Sequence, residues 1–138
     1  MKTWLTSRNG ALVLSFIALL SLLARSYYDT RFILTNEYSP LMPGMDTIWI
    51  FGFTAFVGLN LAFLLAAAAN SSRGAWVGLF AFNLLTGLGS GVGSLLVFTS
   101  NSLELVIFTA SLITGILAAV SVGLQLRKRK ADVLRTAE

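Results

Sequence analysis

The chain has no cysteine and no histidine among its 138 residues. The first absence excludes disulfides, thiolate zinc sites, iron–sulfur clusters and cysteine nucleophiles. The second excludes haem held by protein imidazole and any histidine general base. Whatever cofactor the chain takes is held without either ligand type.

Charge is scarce as well. Asp, Glu, Lys and Arg make up 12% of the residues against 56% hydrophobic, and the mean hydropathy is +0.79. Soluble domains carry about a quarter charged residues, so a water-soluble fold would leave much apolar surface without a polar coat. A bilayer is the better solvent. The net charge of +4 does not point to nucleic acid, because the basic residues sit at the ends of apolar runs and no basic face is interleaved with aromatics.

A hydrocarbon core of about 30 Å needs roughly 20 apolar residues of helix. Four segments meet that need, at about 9–28, 47–69, 74–98 and 103–126. In the first, Arg25 is expected to snorkel outward, with Tyr27 and Tyr28 at the interface. Read as a cleaved signal peptide, this segment would place the large Leu22 where a small residue is wanted, so a retained helix is expected. The reading is all-α: an antiparallel four-helix transmembrane bundle in a single membrane domain, 1–138. Residues 29–46 form an external loop and 127–138 a basic tail. Asn70-Ser71-Ser72-Arg73 and Thr99-Ser100-Asn101-Ser102 are expected as tight turns, and Asn101 with Glu104 resembles a capping box.

Orientation follows from charge. Lys2, Arg8, Arg73, Arg127, Lys128, Arg129, Lys130 and Arg135 fall on one side, and only Arg25 and Arg31 on the other. The basic side is expected to be cytoplasmic, with both termini there, in a plasma or inner membrane. Trp4, Trp49 and Trp76 lie near helix ends, where indoles favour the interface. The run Arg127, Lys128, Arg129 and Lys130 is expected to anchor the fourth helix on anionic headgroups.

The external loop holds Asp29, Glu37, Asp46 and the turn former Pro43-Gly44, but nothing suggests a desolvated cleft for a carboxylate pair. The third helix carries the run Gly87-Leu88-Gly89-Ser90-Gly91-Val92-Gly93-Ser94. It lacks the preceding strand and following lysine of a phosphate loop, so close helix packing is the better reading. Small residues recur every four positions at Asn83, Gly87 and Gly91, at Ser111, Gly115, Ala119 and Gly123, and at Thr54, Gly58, Ala62 and Ala66. The leucine-rich first helix shows no comparable row and is placed at the periphery.

Asn60 and Asn83 lie symmetrically about the turn between Ser71 and Ser72, so they share a depth and are expected to bond each other. With no reactive residue at membrane depth, the expectation is a non-catalytic accessory or assembly subunit. Its partners are the lipid bilayer and other membrane subunits or further copies of the chain. Lipid or a hydrophobic cofactor against the glycine-rich helix is a candidate ligand. The alternative is a small-solute or ion channel or transporter, motivated by Asn60, Asn83, Thr86, Ser90 and Ser94.

Overall fold

The computed structural model describes residues 2–34, 44–69, 72–96 and 102–135. They form a single helical turn, α1 (Lys2–Leu5), and four long helices: α2 (Arg8–Leu34), α3 (Met45–Ala69), α4 (Arg73–Leu96) and α5 (Ser102–Arg135). Arg8–Tyr28, Ile50–Ala69 and Leu105–Ala131 are long and apolar enough to cross a membrane. Among the described residues α4 is not one of these candidate spans.

Two helices run further than their apolar stretches. α2 continues past Tyr28 to Leu34, so the expected loop at 29–46 begins later than the composition suggested. Asp29 to Leu34 contains neither proline nor glycine, and nothing in it stops a helix. α5 likewise carries the basic tail as helix to Arg135. At 1.5 Å per residue that is about 50 Å of helix, well beyond the thickness of a hydrocarbon core. Gly44 opens α3 with φ +85°, a conformation glycine adopts at no steric cost. The turn residues Asn70, Ser71 and 97–101, and the loop residues 35–43, lie outside the described residues.

Serine starts two of the helices. The Ser7 hydroxyl accepts from the Gly10 amide at 3.0 Å, and Ser72 accepts from the Ala75 amide at 3.3 Å. Each satisfies a donor that the first helical turn leaves over. Ser7 also donates to the Trp4 carbonyl, which folds α1 back on α2. A Cβ on Gly10 would sit 2.1 Å from that carbonyl oxygen, so only glycine admits the fold-back.

The closest pairing is between α4 and α5. A Cβ on Gly115 would lie 2.6 Å from the Gly87 nitrogen, and one on Gly87 would lie 2.9 Å from the Ile116 nitrogen. The backbones therefore touch, as small residues permit. Ser90 meets Ser111 beyond this point and Phe80 meets Gly123 before it, so numbers rise along α4 as they fall along α5. α3 and α4 show the same sense: Phe82 packs on Phe56 and Phe63, and Phe63 covers Gly78.

The first long helix is not peripheral, contrary to the expectation from its leucine content. α2 packs broadly against α5 and also against α3 and α4. Its inner stripe is Ala11, Ser15, Ala18 and Leu22, all buried. Steps of four and three place these on one face as effectively as strict steps of four. α3 is the outlying helix instead. Only 17% of its apolar window is buried, against 39% in α2 and in α5.

Candidate functional site: a buried polar seam

The inner face of α4 presents Trp76, Leu79, Asn83, Thr86 and Ser90 at alternating steps of three and four, each no more than 2% exposed. Three of the five are polar without being aromatic. Together with Ser15, Asn60 and Ser111, all 0% exposed, they make a polar seam inside an otherwise apolar interior.

At one end of the seam Ser90 is the hub. Its hydroxyl lies 2.7 Å from the Thr86 carbonyl and 2.9 Å from the Ser111 hydroxyl, and it accepts from Arg25 Nη1 at 2.8 Å. A hydroxyl has one proton and two lone pairs. With the proton on Thr86, Ser90 accepts from both Arg25 and Ser111 and its capacity is filled. The Arg25 guanidinium carbon also lies 4.5 Å from the Phe108 ring centroid. Arg25 thus turns inward rather than snorkelling out. Inside the helices it finds hydroxyls and an aromatic face, so α2, α4 and α5 are tied by one side chain.

In the middle, Ser15 donates to the Ala11 carbonyl at 2.8 Å and accepts from Asn83 Nδ2 at 2.8 Å. The expected bond between Asn60 and Asn83 does not form. Both amide atoms of Asn60, and Oδ1 of Asn83, have no hydrogen-bond partner among the described residues. The reason is local: the Ser15 proton is spent on its own helix, so Ser15 offers an acceptor that draws the Asn83 amide toward α2.

The end at which α2 and α4 begin is closed by long polar side chains. Arg8 donates to the Ala68 carbonyl at 2.6 Å and approaches that of Ala67 at 3.4 Å. This caps the last turn of α3, where a cation is worth about 0.3–1 kcal/mol. Lys128 donates to the Thr6 carbonyl at 2.7 Å, Gln125 donates to the same oxygen, and Ser121 donates to that of Leu5. Arg129 lies 4.9 Å over the Trp76 ring. Trp76 is 0% exposed, so this indole is an interior residue and not the interfacial one its position suggested.

The four basic residues read as one anchor are therefore unlike one another. Lys128 bonds the Thr6 carbonyl and Arg129 lies over Trp76, although Lys128 is exposed, as Arg127 and Lys130 are. Of the small residues singled out by spacing, Gly87, Ser111, Gly115 and Ala119 are buried between helices, and Gly123 faces the Phe80 ring. The surroundings of Gly91 and Ser94, the side chains of Asp29, Asp46, Trp49 and Glu104, and Glu37 and Asn101 altogether lie outside the described residues. The row Thr54, Gly58 and Ala62 faces outward, and a Cβ on Gly58 would meet nothing within 4 Å. Among the described residues no three or more Asp or Glu gather as a metal site would require.

Sequence reasoning did not find Ser15, Arg8 or the inward turn of Arg25. The Ala11-Ser15-Ala18 spacing was a usable signal for the first, and the other two leave none. Fold and seam together define an all-α protein of four long helices, three of them apolar enough to cross a membrane. The chain matches no protein-family model, no curated protein and no solved structure.

Proposed function

We propose that the protein is an integral membrane protein, an antiparallel four-helix bundle with both termini in the cytoplasm, serving as a non-catalytic accessory or assembly subunit of a larger membrane complex. The observation that carries this reading is the outward small-residue row of α3. Thr54, Gly58 and Ala62 are exposed on the helix that its own neighbours bury least. In lipid, a helix gains association from close van der Waals contact, and a glycine-centred row serves a partner helix better than it serves acyl chains. A channel is the weaker reading, because α4 and α5 meet backbone to backbone at Gly87 and Gly115 and leave no gap between them at that level.

The test is purification in mild detergent with mass spectrometry of the co-eluting proteins. Wild type is expected to recover a stoichiometric membrane partner. Gly58→Leu should lose it at least tenfold while unfolding within about 0.5 kcal/mol of wild type, as exposed substitutions do. A wild-type chain that elutes alone, as a monomer, sinks the proposal.

Orientation rests on the eight-to-two distribution of basic residues. Cysteines introduced at Glu37 and Ser100 should react with an impermeant maleimide from outside, and those at Ser72 and Thr136 only after the membrane is opened. The reverse pattern would overturn the assignment.

A further inference from the structure

We propose that Asn60 and Asn83 form a two-residue binding site, midway along the helices, for one neutral hydroxyl group: a water molecule or the hydroxyl of a small solute. The proposal does not depend on the accessory-subunit reading.

Placement comes first. Phe63 packs against both Phe82 and Gly78, and Phe56 against Phe82, which fixes how α3 and α4 lie alongside each other. Asn60 lies between Phe56 and Phe63 and shares the inner stripe of α3 with Leu64 and Ala67, all buried. It therefore stands at the level of Phe82 and Asn83 and faces inward, as Asn83 does. Both side chains are 0% exposed.

Hydrogen bonding then fixes the chemistry. Ser15 spends its proton on Ala11, so it can only accept from Asn83, which sets the orientation of that amide. Asn83 Oδ1 is left as an acceptor without a donor, and Asn60 keeps its donor and its acceptor both unused. The two amides do not bond each other. Buried amides in a low-dielectric interior carry a large desolvation penalty unless paired.

A group serving both must donate to Asn83 Oδ1 and exchange a hydrogen bond with Asn60. An anion is excluded, since it cannot donate to the fixed Oδ1. A bare metal cation is poorly served, since the two amides offer it only two oxygens among phenylalanine and leucine side chains. A neutral hydroxyl gives its proton to Asn83 Oδ1 and accepts from Asn60 Nδ2, and water, with a second proton, serves Asn60 Oδ1 as well. Phe56, Phe63, Phe82, Leu64 and Leu79 pack around the level, so the ligand is small.

The experiment uses the full chain in lipid nanodiscs with nitrogen-15 asparagine, of which the sequence has six. Cross-relaxation of the Asn60 side-chain amide with water is measured, followed by its shift on titration with glycerol. Contact with water and no glycerol shift identifies a water site, and a saturable glycerol shift identifies a site for small polyols. Either outcome supports the proposal. Contact with neither, only with aliphatic protons, overturns it.

Asn83→Leu tests the pairing and should abolish the Asn60 signal. If the signal persists unchanged, Asn60 binds alone and the two-residue site is wrong. Asn83→Ala serves the same purpose should the leucine variant not fold.

Discussion

Gly115→Leu is expected to destabilise the protein by about 3 kcal/mol or more, the upper end of overpacking costs. The reason lies in which atoms the new side chain meets. The first added carbon would stand 2.6 Å from the Gly87 nitrogen, 2.7 Å from its Cα and 3.1 Å from the Asn83 carbonyl oxygen. All three are backbone atoms, so no rotamer change relieves the clash and α4 must separate from α5. Thermal unfolding in detergent should show Tm lower by roughly 10 °C, taking about 2–4 °C per kcal/mol for a chain near this size.

Gly89 supplies the control. It belongs to the same glycine-rich run, yet a Cβ there would meet nothing within 4 Å. Gly89→Leu is expected to change stability by no more than about 0.5 kcal/mol. Equal damage from both substitutions would show that the run is not organised by backbone contact.

The second large effect is expected at Arg25. Its guanidinium reaches Ser90 at 2.8 Å while lying 4.5 Å from the Phe108 ring centroid, so it bonds and stacks at once. Lysine carries a compact point charge and does not reproduce a planar group in both contacts. Arg25→Lys should therefore cost nearly as much as Arg25→Leu, and Ser90→Ala should cost about 1.5–3 kcal/mol, the range for a hydrogen bond to a charged group. A double-mutant cycle on Arg25→Leu and Ser90→Ala separates the coupling from the separate losses. Additive effects in that cycle would mean that the bond contributes nothing, and full rescue by lysine that only the charge counts.

Much of the fold was legible because apolar run length is a one-dimensional property. Arg8–Tyr28, Ile50–Ala69 and Leu105–Ala131 stand out by composition alone. Gly87 and Gly115 were also marked by spacing, since a helix turns residues four apart onto one face. Helix ends were less legible: α2 and α5 run past their apolar stretches because helix propensity, not hydropathy, decides where a helix stops.

The partners of the polar residues were not legible. Asn60 and Asn83 share a depth, but depth says nothing about azimuth, and Ser15 on a third helix took the bond. Arg25 looked interfacial because snorkelling is the usual recourse of a long cation near a helix end. Only once α4 and α5 had brought Ser90, Ser111 and Phe108 together beside α2 was there an inward site for it to fill.

The division has a physical cause. By itself the sequence determined that the interior is apolar helix, that cysteine and histidine chemistry is excluded, and which rows are small enough for backbones to approach. Tertiary structure alone decided which row meets which. α4 and α5 meet backbone to backbone at Gly87 and Gly115, α2 packs inward on a mixed alanine–serine stripe, and the α3 row is left facing out. Side-chain spacing fixes the face of one helix, whereas the choice among faces depends on close-packing all four at once.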